Sequence, residues 1–233
     1  MSESKALKDF RNSLKLAEEL MKLERNYSNP PKQNEMLAVL GLRGGASVLM
    51  VAGFEYFIRQ TIEYHLSEVS PLKISFEHLP DKMKIQNTFM SLEYAMKGKP
   101  FQPSKNKIDR LNDIDITCRR ILSGTVDPEV FSNTGGNPSS KTVREMFKNL
   151  GMNDIFTSIK SNFCSKWGKP IASTYIEDKL DEIVNRRHIV AHTADALNIG
   201  RSDLRESLKF LRILAELIDK EIHKFVLAII NEK

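Results

Sequence analysis

Apolar residues recur at helical spacing along most of the chain. Over residues 4–25, Leu7, Phe10, Leu14, Ala17 and Met21 follow steps of three and four with charged residues between them, which predicts an amphipathic helix stopped by Asn29-Pro30-Pro31. A second periodic segment, 32–67, carries Met36, Val39, Leu40, Val48, Val51, Phe54, Phe57, Ile58 and Ile62. Gly44-Gly45 and Gly53 interrupt it, and glycine inside a helix often marks a close backbone approach. It reads as one long helix, straight or bent at those glycines. Beyond the loop at 71–80, Met83, Phe89, Leu92 and Met96 predict a third helix and its buried face, and Ile108, Leu111, Ile114, Cys118 and Ile121 a fourth. Residues 123–140 are turn-rich, with Asn133-Thr-Gly-Gly-Asn-Pro138 at their centre, and a short helix from 141 to 150 is closed by Gly151. Residues 153–172 fit no single period.

From Tyr175, Ile176, Leu180, Ile183, Val190 and Ala191 predict a helix to about Thr193. The longest pattern is the last: Leu204, Leu208, Leu211, Ala215, Ile218, Ile222, Phe225 and Ile229, with Ser202 as the expected N-cap. Period-two alternation never persists. The expected fold is therefore all-α, a helical bundle with a long C-terminal helix and an irregular, loop-rich middle region. One domain is expected over 1–233, with 70–170 as a basic helical insertion.

Composition sharpens this picture in two ways. The 35 Lys+Arg and 30 Asp+Glu leave +5, but the excess is local. Residues 1–80 hold ten basic and ten acidic side chains, 81–169 fifteen and nine, and 170–233 ten and eleven. The middle cations, Lys105, Lys107, Arg110, Arg119 and Arg120 among them, form either a solvated surface or a phosphate-tracking face. Two cysteines, Cys118 and Cys164, make no disulfide framework, and no signal-peptide pattern opens the chain, so a cytoplasmic protein is expected. The most apolar run, Ala46 to Phe54, is far shorter than a bilayer span, and no membrane partner is expected.

Chemistry concentrates in one place. The chain has no glycine-rich phosphate loop and no nucleophile elbow. His188 and His192 lie one helical turn apart, yet Ile189 stands where a zinc protease needs Glu and no third ligand is evident, so neither metal nor other cofactor is expected. The segment Asn185-Arg186-Arg187-His188-Ile-Val-Ala-His192 is dense in cations and imidazoles, and Arg187 falls on the apolar stripe of its helix. Such an Arg needs an anion or a carboxylate beside it, and Glu55 in the otherwise apolar second helix is the candidate. Arg187 and His192 are five residues apart, about 140° around a straight helix. A site using both calls for a helix end near Ala191 or a second copy of the helix across a two-fold axis.

Arg187-His-Ile-Val-Ala-His192 resembles the R-x4-6-H motif of the HEPN superfamily, all-α domains found in many prokaryotic RNase toxins and defence effectors. Leu42 to Glu55 is similar to the Glu-bearing apolar helix of the RiboL-PSP-like group. Arg59 and His65 also fit the range of the motif but lie inside the second helix, away from a helix end. The resemblance implies a metal-independent endoribonuclease, acting as a homodimer on RNA and giving 2′,3′-cyclic phosphate ends, in a toxin or anti-phage role with an antitoxin or sensor protein as a further partner. It implies Arg187 and His192 as catalytic, with His188, Glu55, Asn185 and Arg186 in support, and the middle cations as an RNA-binding face. Nucleotidylated members carry a Tyr two residues past the motif His; here that position is Ala194, which argues against this control. The alternative is a non-catalytic helical dimer serving as an interaction or RNA-binding module.

Overall fold

The computed structural model describes residues 3–69, 76–99, 103–193 and 199–231. Among them are eight α-helices and no strand: α1 (Lys5–Glu24), α2 (Met36–Val69), α3 (Asp81–Lys97), α4 (Lys107–Leu122), α5 (Ser140–Asn149), α6 (Ile155–Trp167), α7 (Tyr175–Thr193) and α8 (Arg201–Asn231). Helix α2 runs through the centre as one helix, with α1, α7 and α8 packed on it. Phe10, Phe54 and Phe57, all fully buried, join α1 to α2 with ring centroids 5.3 to 6.2 Å apart. Gly53 permits this, because a Cβ there would lie 2.5 Å from Ser13 Oγ. By length and composition α2 could cross a membrane, at a mean hydropathy of 1.7 over its most apolar window, but half of that window is buried inside the bundle.

Helices α5 and α6 belong to the same core, through Val143, Phe147, Ile155, Ile159, Phe163 and Trp167. The segment that fitted no single period is thus mostly α6, capped by Asp154 and ended by Gly168 at φ 85°. Four expectations need correction. Helix α3 buries Met83, Asn87, Ser91 and Ala95, whereas Phe89 and Met96 point to solvent. Polar contacts decide that face: Asn87 Nδ2 donates to Thr125 O at 3.1 Å, and its Oδ1 accepts from Asp127 N at 2.8 Å. Helix α4 forms as expected but lies on α3 with no residue fully buried, leaving Ile108 and Leu111 exposed. Ser202 lies inside α8; the start of that helix is closed by Asp203, whose Oδ2 accepts from Gly200 N at 2.9 Å. Ala191 is exposed rather than part of α7's buried stripe.

Two buried polar clusters tie distant segments together. Glu24 Oε1 accepts from Arg43 Nε at 2.8 Å and Nη2 at 2.6 Å, while its Oε2 accepts from Arg201 Nε at 2.6 Å. On the far side, Asp219 accepts from Thr61 Oγ1 at 3.1 Å, lies 3.2 Å from His65 Nε2, and receives the Ser4 N–H. His65 is therefore a core residue, and the Arg59–His65 spacing is no site. Burial opposes ionisation of Asp219, but the His65, Ser4 and Thr61 hydrogen bonds outweigh it and hold the carboxyl below its ordinary range. A carboxyl whose pKa is depressed by folding stabilises the fold fully above its unfolded pKa and loses that contribution as pH falls through the folded value. Urea unfolding of wild type should therefore lose stability below about pH 4, and Asp219→Asn should show less of that acid-dependent loss. Equal pH slopes for the two proteins would refute the assignment.

Candidate active site

The site forms where α7, α2 and the 132–139 loop meet. Arg187, on α7, donates from Nη2 to Gly136 O at 2.9 Å and lies 3.5 Å from Glu55 Oε2 on α2. Thr134, almost fully buried, donates from Oγ1 to Glu55 Oε1 at 2.8 Å, so the loop orients the carboxylate that faces the guanidinium. The loop reaches this place because Gly135 and Gly136 take φ of 61° and 78°, a region that L side chains disfavour. It is pinned on both sides. Ser132 Oγ donates to Glu63 Oε1 of α2 at 2.6 Å, and Ser140 N and Oγ donate to the two carboxylate oxygens of Asp181 on α7, each at 2.7 Å.

Between loop and helix lies a groove of about 510 Å³ lined by Gly136, Asn137, Asn185, Arg187, His188 and His192, among others. The His188 and His192 rings stand 4.3 Å apart, centroid to centroid, and both side chains are exposed. Arg187 Nε is buried and makes no hydrogen bond among the described residues, so the guanidinium keeps a donor in reserve. Helix α7 stays helical through Thr193. Arg187 and His192 nonetheless line the same groove in one chain, because the loop forms a wall broad enough to face both; neither a helix end at Ala191 nor a second copy is needed to bring them to one groove.

Other expected site residues fall elsewhere. Arg186 turns from the groove toward Glu182 and, at 3.4 Å, Asp203. Of the middle cations, Lys105 pairs with Asp113 at 2.8 Å, Arg119 with Asp115 at 3.0 Å and Arg120 with Asp127 at 3.8 Å. Lys107 is exposed, and Arg110 packs against Gly98, its Nη1 buried without a hydrogen bond among the described residues. Ala194 lies outside the described residues. Thr134, Gly136 and Asp181 were not singled out by the sequence; the only signal for the first two was a turn-rich stretch that did not say where it lands, and Asp181 is one of several acids on α7.

A family model described as RiboL-PSP-HEPN matches residues 7–224. The chain belongs to the RiboL-PSP-HEPN family. No curated protein and no solved structure matches it. The match takes in the whole 70–170 region, in which the sequence offered no named motif, so the loop facing Arg187 lies within the RiboL-PSP-HEPN match. The chain is thus a nuclease-like domain of HEPN type whose Arg-and-His helix is walled by that loop.

Proposed function

We propose that this RiboL-PSP-HEPN protein is a metal-independent endoribonuclease working in a toxin or anti-phage defence setting. The observation that carries the reading is the groove itself: a guanidinium with an unused donor beside two exposed imidazoles 4.3 Å apart. In the proposed reaction a ribose 2′ oxygen attacks the adjacent phosphorus while His192 takes the 2′-OH proton. The bond from phosphorus to the 5′ oxygen breaks, and that oxygen leaves as 5′-OH with a proton from His188. Imidazoles titrate near neutrality as a class, which suits both transfers. Arg187 steadies the charge that gathers on the phosphoryl oxygens, a role for which a planar cation fits better than an ammonium. Glu55 and Thr134 position Arg187. Homodimerisation is part of the proposal: Ile189, 41% exposed on α7 to one side of the two imidazoles, gives that helix an apolar contact for a second copy. Supporting protein partners would be an antitoxin or a sensor, in the cytoplasm.

The rival, a non-catalytic module, draws on the Glu55 and Gly136 contacts that already occupy one end of Arg187. Incubating the protein with RNA and with DNA of the same sequence, in excess EDTA, separates the two. RNA should be cut to 2′,3′-cyclic phosphate and 5′-OH ends and DNA left whole. Intact RNA, or cleavage only on adding metal, would defeat the nuclease proposal.

A further inference from the structure

The groove at Arg187 is not isolated. Across the Gly135–Gly136 crest it adjoins a second groove of about 700 Å³, lined on the α2 side by Arg59, Gln60 and Glu63. Tyr94 and Lys99 in turn line both that groove and a third, smaller cavity of about 270 Å³ between α3 and α4, whose wall includes Arg110. Three adjoining hollows thus run from the imidazoles to Arg110. The crest between the first two is open, since a Cβ on Gly135 or Gly136 would meet nothing within 4 Å.

Charge along this course is uneven in a telling way. Its carboxylates are already engaged: Glu55 by Thr134 and Arg187, Glu63 by Ser132 and Gln60, Glu129 by Lys99, Asp113 by Lys105. Two cations are not. Arg59 is exposed and makes no hydrogen bond or ion pair among the described residues, and Arg110 Nη1 is buried without one. A buried guanidinium nitrogen without an acceptor is costly, and a phosphate oxygen would relieve it. The chemistry on offer is therefore spare guanidinium donors at both ends and in the middle, with one tyrosine ring between Arg59 and Arg110 for a base to stack on.

We infer that a single RNA strand continues from the cleavage groove across the Gly135–Gly136 crest, with Arg59 holding a phosphate, Tyr94 stacking a base, and Arg110 taking a phosphate remote from the cut. The inference rests on the nuclease reading for the identity of the strand. At about 270 Å³ the smallest of the three hollows is far too small to take a duplex, and hence the strand is single. Of the middle cations, this assigns Arg110 to the strand through its buried donor, while Arg119 remains paired with its own helix's Asp115.

The test uses fluorescein-labelled 2′-O-methyl oligouridylates, which cannot be cleaved, of about three and about twelve nucleotides. Fluorescence anisotropy should show wild type binding the longer oligomer at least about tenfold more tightly than the shorter, and Arg59→Ala with Arg110→Ala should remove most of that advantage. Losing two phosphate contacts should also flatten the slope of log K against log salt by about 1.4. Lys169→Ala, an exposed cation outside the three hollows, serves as the control, and Arg110→Lys guards against loss of fold by keeping charge and bulk. The inference falls if the double variant binds the longer oligomer as wild type does, if the salt slope does not move, or if length brings no gain. Because the probe resists cleavage, an inactive enzyme that still shows the length gain would sink the nuclease reading and spare the strand path.

Discussion

Arg187→Ala should lower RNA cleavage by about two to three orders of magnitude, measured as initial rate on a labelled oligoribonucleotide in EDTA. The guanidinium is held by Gly136 O and Glu55, with Nε buried and unbonded among the described residues, so a phosphate meets a preset cation rather than a flexible chain. Arg187→Lys should rescue little, since an ammonium cannot reproduce a forked contact and its stem would leave Gly136 O without its donor. His192→Ala should cost about two to four orders of magnitude through loss of proton transfer, and the double variant should fall little below the worse single one, because the two groups serve one step. Glu55→Gln separates positioning from chemistry: it keeps an acceptor for Thr134 but weakens the ion pair, and should reduce kcat more than it raises KM. Full activity in Arg187→Ala would overturn the assignment.

Glu24→Ala should destabilise the fold by about 3–5 kcal/mol in urea unfolding. Glu24 is 2% exposed and sits in the last turn of α1, where the helix dipole disfavours a carboxylate. It is tolerable there only because Arg43 and Arg201 surround it. Removing the acid leaves two guanidiniums facing each other with little solvent: Arg43 is 7% exposed and keeps contacts only to Ile199 O and Asn29 Oδ1, each at 3.2 Å. Since the three residues join the end of α1, the front of α2 and the start of α8, the loss should appear as a lower midpoint with an unchanged m-value. A change below about 1 kcal/mol would show that water reaches the cluster and screens it.

The helices were legible because periodicity is a local property. Leu7 to Met21 and Leu204 to Ile229 repeat every three or four residues, so the buried side of α1 and α8 could be read without knowing the partner. Helix α3 defeated the same reasoning. Its inner face carries Ser91 and Asn87, the latter held by hydrogen bonds to a loop some forty residues on, while Phe89 stays outside. The Arg187–Glu55 pair was legible for a different reason, as each is a charge in a stripe that otherwise demands apolar residues.

From the order of its residues alone this chain determined its helical class, its family motif and the two ionic residues that meet at the centre. Only the tertiary structure decided that the Asn133–Pro138 turn closes over Arg187, that most middle cations are spent on nearby acids, and that His65 is sealed in the core. The physical reason is range. Helix periodicity is set by neighbours three and four residues away, whereas a site's electrostatics depends on which carboxylate or carbonyl arrives from fifty or more residues away, and no local pattern encodes that arrival.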